Sequence, residues 1–201
     1  ATTPDGSAKF IASFFRNPAV TEAVRDLLQH RDGLMLGICN GFQALIKLGL
    51  AAYGDIRPIT ACDPTLTFNT IGRHQSMLVR TRIASTGSPW LSKCSVGDQH
   101  TVAISHGEGR FVAPQSVLDT LIANGPDRDP VRRSGCSPSM DMKYNPNGSV
   151  LAIEGITSRM AVSSARWAIR SAAASTCTRT SPATSISYFR GRRGLFQDLM
   201  V

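Results

Sequence analysis

Long apolar runs are missing from this sequence: it never reaches the about 18 consecutive apolar residues that a membrane-spanning helix requires. No basic stretch leading into an apolar core opens the chain, so no secretory leader is expected. Cysteines never occur in a Cys-x-x-Cys pair; the five present, at positions 39, 62, 94, 136 and 177, are odd in number and scattered. That argues against a disulfide framework and against a motif-type zinc site, and it fits a reducing, cytoplasmic compartment. Histidine is scarce, and none follows His106. There is no internal repeat.

What is present suits one globular domain: 201 residues, 42% of them hydrophobic, are enough to enclose a core. The net charge of +8 invites a nucleic-acid partner, but it is unevenly placed. Residues 159–201 hold seven Arg, no Lys and the single acid Asp198, whereas residues 1–158 hold 15 basic residues against 13 acids. The body is nearly neutral, so the basicity belongs to one segment whose composition has to be explained first.

Local patterns outline an α/β chain. Ala1–Ser7 reads as a loop and Ala8–Arg16 as a helix with Phe10, Ile11, Phe14 and Phe15 at helical spacing. Asn17-Pro18 is a cap and first-turn pair opening a second helix, with Val20, Val24, Leu27 and Leu28 on one face. Gly33–Gly37 is a short buried strand, Asn40–Leu48 a helix stopped by Gly49. Strands are expected at Thr65–Asn69, at Met77–Ile83 with Arg80 and Arg82 facing outward, and at Thr101–Ser105. Pro114–Asn124 reads as a helix, and Met140–Tyr144 with Val150–Ile156 as a hairpin turned at Asn145-Pro-Asn-Gly148.

The chemistry concentrates at Gly37-Ile-Cys39-Asn40-Gly41, a G-x-C-x-G between strand and helix. This is the nucleophile elbow with a thiol in place of the hydroxyl. Glycines permit the sharp turn, the helix N-terminus stabilises negative charge on the sulfur, and the Asn40 N–H faces a developing oxyanion. The competing reading is a buried structural thiol between two turn glycines. Placement after an apolar strand and before a helix favours the nucleophile.

Gly-Ile-Cys-Asn-Gly-Phe-Gln43 resembles the glutaminase elbow of class I glutamine amidotransferases. More closely, Pro4–Leu50, Pro64–Gly125 and Ser139–Ser158 are similar to the carboxy-terminal glutaminase domain of phosphoribosylformylglycinamidine synthase. The stretches that carry this are Pro4-Asp-Gly-Ser-Ala-Lys-Phe-Ile, the elbow, Thr65-Leu-Thr-Phe-Asn, Ser105-His-Gly-Glu-Gly-Arg-Phe111, and Asn145-Pro-Asn-Gly148 through Ile153-Glu-Gly-Ile-Thr157. The first of these, and the Gly-Glu-Gly after His106 in the fourth, speak against the guanylate-forming amidotransferase.

The resemblance implies a three-layer α/β fold, a mostly parallel flavodoxin-like sheet with helices on both faces, incomplete here at both ends. It implies that Cys39 attacks the glutamine carboxamide and releases ammonia to a synthetase domain of the same enzyme. That domain uses ATP and Mg²⁺ to amidate formylglycinamide ribonucleotide in purine biosynthesis. Gly37, Asn40, Gly41, Gln43, His106 and Gly107 would form the oxyanion and glutamine-binding set. No cofactor or metal is expected in this chain itself, and His74 and His100 read as loop or strand-edge residues. His106 admits two readings, a general base for the thiol or part of the substrate-side scaffold. The family carries its base in a later His-x-Glu pair, and its second oxyanion donor in a glycine-rich loop that would precede Pro4.

That later pair is where the pattern breaks. After Thr157 the family reads Ser-Pro-Asp-Gly-Arg and soon Gly-His-Ser-Glu, whereas this chain reads Ser158-Arg-Met-Ala-Val and continues rich in Ser, Ala, Thr and Arg. A reading-frame slip accounts for it. Residues 158–171 can be encoded so that one restored C yields Ser-Pro-Asp-Gly-Arg-Val-Phe-Gly-Lys-Met-Gly-His-Ser-Glu. A second shifted frame over Gly125–Gly135 yields Gly-Gln-Ile-Ala-Thr-Gln-Tyr-Val-Asp-Leu, also family-like. The expected organisation is therefore a glutaminase domain over 1–158, with 126–137 out of frame inside it, and a poorly ordered, out-of-frame tail over 159–201. Without the pair the chain should turn over negligible glutamine. The alternative is a non-enzymatic amidotransferase-like module whose basic tail contacts a partner or RNA. No membrane is expected, and nucleic acid is not the favoured partner.

Overall fold

The computed structural model describes residues 5–86, 88–91, 93–123, 139–158 and 163–166, with side chains from residue 8 to 158. Asp5–Phe15 forms helix α1, which begins before the expected loop ends. Ala8 and Ala12, one turn apart, are buried, and Phe10 and Phe14 face outward. Helix α2, Pro18–Arg25, is entered through Asn17, whose Oδ1 accepts the Ala19 N–H at 3.0 Å. A π turn at Asp26–His30 extends it and brings Leu28 beside Val24 in the core.

Strand β1, Met35–Ile38, leads through Cys39 into helix α3, Asn40–Leu48. Gly49 adopts the left-handed conformation that ends α3, and α4, Leu50–Tyr53, follows at once. Phe42, Leu45, Ile46 and Leu48 are buried and meet Ala12, Val24, Leu28 and Leu50 in one core. The helix carrying the elbow is therefore also the hub of the apolar interior, which fixes its orientation.

Polar ties hold the segment after α4. Arg25 Nε donates to Asp55 Oδ1 at 2.8 Å, and this partner keeps the Asp55 carboxyl below its ordinary value. Asp63 is buried and accepts from Tyr53 Oη, Arg57 Nη2, and the Thr60 N–H and Oγ1. These hydrogen bonds hold its carboxyl far below the usual range; burial first, then the bond to Asp63, pushes the Tyr53 phenol up to about 12.

The strands β2 (Thr65–Thr67), β3 (Gln75–Arg82), β4 (Gln99–His106), β5 (Arg110–Val112), β6 (Gly155–Thr157) and β7 (Ser163–Arg166) make three sheets with β1. The sheet that carries the elbow has the order β1-β7-β6, with β1 and β7 parallel (Gly37 opposite Ala165) and β6 antiparallel to β7. β2 pairs antiparallel with β5, Leu66 opposite Phe111. β3 and β4 form a ribbon from Gln75 opposite His106 to Arg82 opposite Gln99. On β4 every second residue, Val102, Ile104 and His106, is buried. On β3 the apolar Met77 and Leu78 are exposed along with Arg80. Helix α5, Gln115–Ala123, contributes Leu118 to the core.

Two expectations are corrected. The hairpin of 140–144 with 150–156 is not formed: Asp141–Tyr144 is a turn, Val150–Ala152 a 3₁₀ turn, and Gly155–Thr157 pairs instead with β7. The Asn145 side chain binds the Ser149 backbone twice, Nδ2 donating to the Ser149 carbonyl at 2.8 Å and Oδ1 accepting the Ser149 N–H at 3.1 Å, which closes the segment into a local loop. Second, residues 163–166 of the tail expected to be poorly ordered form the strand β7. Strand pairing uses backbone amides, so it does not require the family's side chains there. The rest of 159–201, and the segment 126–137, lie outside the described residues.

Candidate functional site

Cys39 sits at the join of β1 and α3 with φ 56° and ψ −114°. A non-glycine residue in that region is strained, and it persists only where its surroundings fix it. Gly37 supplies part of that fixation: a Cβ there would stand 2.6 Å from both the Gly41 carbonyl oxygen and Leu45 Cδ1. The first turn of α3 thus folds directly over β1, and only a residue without a side chain fits beneath it. The Cys39 carbonyl accepts the Gln43 N–H at 3.2 Å, closing that turn, and the thiol is partly exposed and unpaired. Asn40 is the first residue of α3, so its N–H belongs to the helix N-terminus. Gly41 differs from Gly37, since an added Cβ there meets nothing within 4 Å among the described residues.

Gln43 connects the elbow to the second half of the site. It is buried on α3, and its Nε2 donates to the Glu108 carbonyl at 3.4 Å. Its Oε1 is enclosed without a hydrogen-bond partner among the described residues. The loop it reaches, His106–Gly109, joins β4 to β5.

That loop is held by Asn69, a residue with no expected role in the sequence reading. Asn69 is 2% exposed, its Nδ2 donates to the His106 carbonyl at 2.8 Å and the Arg73 carbonyl at 3.0 Å, and its N–H donates to the Gly107 carbonyl at 2.9 Å. Its Oδ1 accepts from the Gly109 N–H at 3.3 Å and lies 3.1 Å from His106 Nδ1. A carbonyl oxygen can only accept, so Nδ1 carries the imidazole proton. Asn147 and Ser149 close the loop from the other side: Asn147 Nδ2 donates to the Gly109 carbonyl at 2.9 Å, and Ser149 Oγ accepts the Phe111 N–H at 3.0 Å. Gly109 has to be glycine, because a Cβ there would fall 2.1 Å from His106 Cε1. The sequence signal for this cage was available: two Asn-containing segments recur among the family-like stretches without an assigned task.

His106 is 5% exposed. Burial, with a smaller contribution from nearby His74, lowers its pKa from 6.5 to about 4. The imidazole is neutral at pH 7 and engaged with Asn69, which is the environment of a scaffold rather than of a thiol's base. No hydrogen bond from a histidine or carboxylate to the Cys39 sulfur occurs among the described residues. Because folding favours the neutral ring, its stabilisation is full above pH 6.5 and is lost as pH falls towards 4, about 3 kcal/mol in total. Urea unfolding at pH 7 and pH 4 should show that difference, and His106→Gln should remove it.

A strand, a strained cysteine and a helix N-terminus thus form an elbow, which Gln43 ties to a glycine-bearing loop. The family described as CobB/CobQ-like glutamine amidotransferase domain matches residues 1–161, and the chain belongs to it. Among curated relatives it is similar to phosphoribosylformylglycinamidine synthase subunit PurQ of Salinibacter ruber, 33% identical over 140 residues, covering 70% of this chain and 53% of that protein. PurQ of Symbiobacterium thermophilum is 34% identical over 142 residues (70% and 54%), and that of Halobacterium salinarum 34% over 143 residues (71% and 57%). The chain thus spans about half the length of the curated relatives it matches. The solved structure of PurLQS from Thermotoga maritima aligns with a TM-score of 0.51 and 21% identity over 79% of this chain and 59% of that one, which shows the α/β fold.

Proposed function

We propose that this chain supplies the glutaminase step of phosphoribosylformylglycinamidine synthase. The observation that carries the proposal is Cys39, held at φ 56° between β1 and the N-terminus of α3. In this reading the Cys39 thiolate attacks the carboxamide carbon of glutamine, and the oxyanion that forms accepts from the Asn40 N–H. Collapse of the tetrahedral adduct breaks the C–N bond, ammonia leaves with a proton, and water then hydrolyses the glutamyl thioester to glutamate. Gly41 leaves open space over the first turn of α3, while Gln43, His106 and Gly107 line and brace the loop that faces the substrate. Ammonia passes to a synthetase partner in the cytoplasm. ATP and Mg²⁺ would be held by that partner, and no step in this chain runs through them. Among the described residues no helix is long and apolar enough to cross a membrane.

A proton acceptor is still required, and the sequence offers no histidine after His106. Loss of a base costs on the order of 10⁴ in turnover while leaving a thiol that can still be alkylated. The test is therefore covalent labelling rather than turnover. An electrophilic glutamine analogue should modify Cys39 stoichiometrically, with glutamine protecting and Cys39→Ser abolishing the label. Labelling that falls equally on the exposed Cys62 would overturn the proposal. The missing histidine favours one second reading, a non-enzymatic module of the same fold, and that module would leave Cys39 unlabelled under the same conditions.

A further inference from the structure

We propose that Cys94, Asp98 and His100 form a binding site for a thiophilic divalent cation such as Zn²⁺. Each offers one ligand atom, a sulfur, a carboxylate oxygen and an imidazole nitrogen, and all three lie within 4.8 Å of one another. The spacing Cys-x-x-x-Asp-x-His matches no linear zinc motif, so the sequence alone gave no metal site. The turn creates the juxtaposition.

His100 is the second residue of β4, and Asp98, two residues before it, ends the turn that enters the strand on the same side. Cys94 is brought to that face by the turn 95–98. There the Ser95 N–H donates to Asp98 Oδ2 at 2.7 Å and the Asp98 N–H to the Ser95 carbonyl at 3.1 Å. Gly97, at φ +98°, donates to the Ile83 carbonyl at 2.9 Å, and the Ile83 N–H returns a bond to the Asp98 carbonyl at 2.8 Å. The Cys94 N–H is held by the Leu91 carbonyl at 2.9 Å, and Thr81 Oγ1 donates to the His100 carbonyl at 3.3 Å. The backbone at all three positions is therefore fixed by hydrogen bonds, and a bound ion would share the Asp98 carboxylate with the Ser95 N–H.

The donor set selects the ion. One thiolate and one imidazole disfavour Mg²⁺ and Ca²⁺, which take oxygen, and suit Zn²⁺ or Co²⁺ with one coordination position open. Zinc bonds of about 2.0–2.3 Å in a tetrahedron put ligand atoms about 3.5 Å apart, so the side chains close by roughly 1 Å on binding. Side-chain rotation alone supplies that movement. A cysteine must lose its thiol proton to ligate a metal, so affinity should rise with pH. The site lies at the opposite end of the β3–β4 ribbon from His106, about 24 Å away at the rise of a strand. A bound ion there would clamp the ribbon's end without touching Cys39.

Titration of the full 201-residue chain with Co²⁺ tests this. One equivalent should produce a thiolate-to-metal charge-transfer band that Zn²⁺ displaces, that Cys94→Ser abolishes, and that Cys62→Ser leaves intact. In the unsubstituted protein, mapped alkylation of Cys94 should slow on the order of 100-fold when Zn²⁺ is present at about 100 times its Kd, with Cys62 unaffected. This second measurement decides the matter even where Cys94→Ser fails to fold. Absence of the band, a band that survives Cys94→Ser, or unchanged alkylation of Cys94 would each mean a hydrogen-bonded cluster only, and would overturn the proposal.

Discussion

Gly37→Ala is expected to lower stability by about 3 kcal/mol and to slow labelling of Cys39 on the order of 10²-fold. The added methyl would sit 2.6 Å from the Gly41 carbonyl oxygen and 2.8 Å from its carbon. Those are backbone atoms of α3's first turn, and they cannot swing aside as the end of a flexible side chain would. Either β1 or α3 has to retreat, and Cys39, at their junction, moves with whichever yields. Two measurements check this: urea unfolding for the stability loss, and the rate of modification by an electrophilic glutamine analogue compared with a small neutral alkylator. A reduced rate with the glutamine analogue alone would show that the elbow's geometry, not the thiol's exposure, was disturbed. Wild-type behaviour in both assays would mean that the contact between β1 and α3 is looser than described.

Asn69→Ala is expected to cost about 4 kcal/mol, because it leaves several buried partners without hydrogen bonds at once. The His106 and Arg73 carbonyls lose a donor, and the Gly109 N–H and His106 Nδ1 lose an acceptor. Burial prevents water from replacing them cheaply. Asn69→Asp separates the contributions: it keeps an acceptor for Gly109 and His106 but removes the donor to the two carbonyls. A carboxylate beside the ring also favours imidazolium, so in that variant the pH-dependent loss of stability assigned to His106 should shrink and be complete at higher pH. Urea midpoints as a function of pH measure both effects. Unchanged midpoints for Asn69→Ala would remove the residue from the scaffold.

Much of this architecture was readable from short-range pattern. The elbow, the Asn17 cap, the helix 40–48 and its glycine stop each rest on backbone chemistry within a few residues, and each stands where the pattern put it. The hairpin at 140–156 failed for the opposite reason. Its alternation was weak, and Asn145, Asn147 and Ser149 spend their hydrogen bonds on one another and on Gly109, some 38 residues away in sequence for Asn147. Asn69 stood in a family-like stretch, but its role was not readable there, since its four side-chain bonds converge only when the segment after β2 meets the end of β4. The Cys94–Asp98–His100 cluster depends on a turn whose hydrogen bonds no spacing rule encodes. Exposed Met77 and Leu78 mark a limit as well, because alternation indicates a strand without indicating which face is covered.

The short strand β7 carries one more implication. β1 and β6 each pair with it, so the four residues 163–166 fill what would otherwise be open rows of amide and carbonyl groups on two strands. Open sheet edges are templates for self-association, and nearly any extended segment with free backbone groups can cap them. The slot beside the elbow strand is therefore tolerant of sequence. A chain that departs from the family pattern after residue 158 thus still joins β1 and β6 into one sheet through this segment.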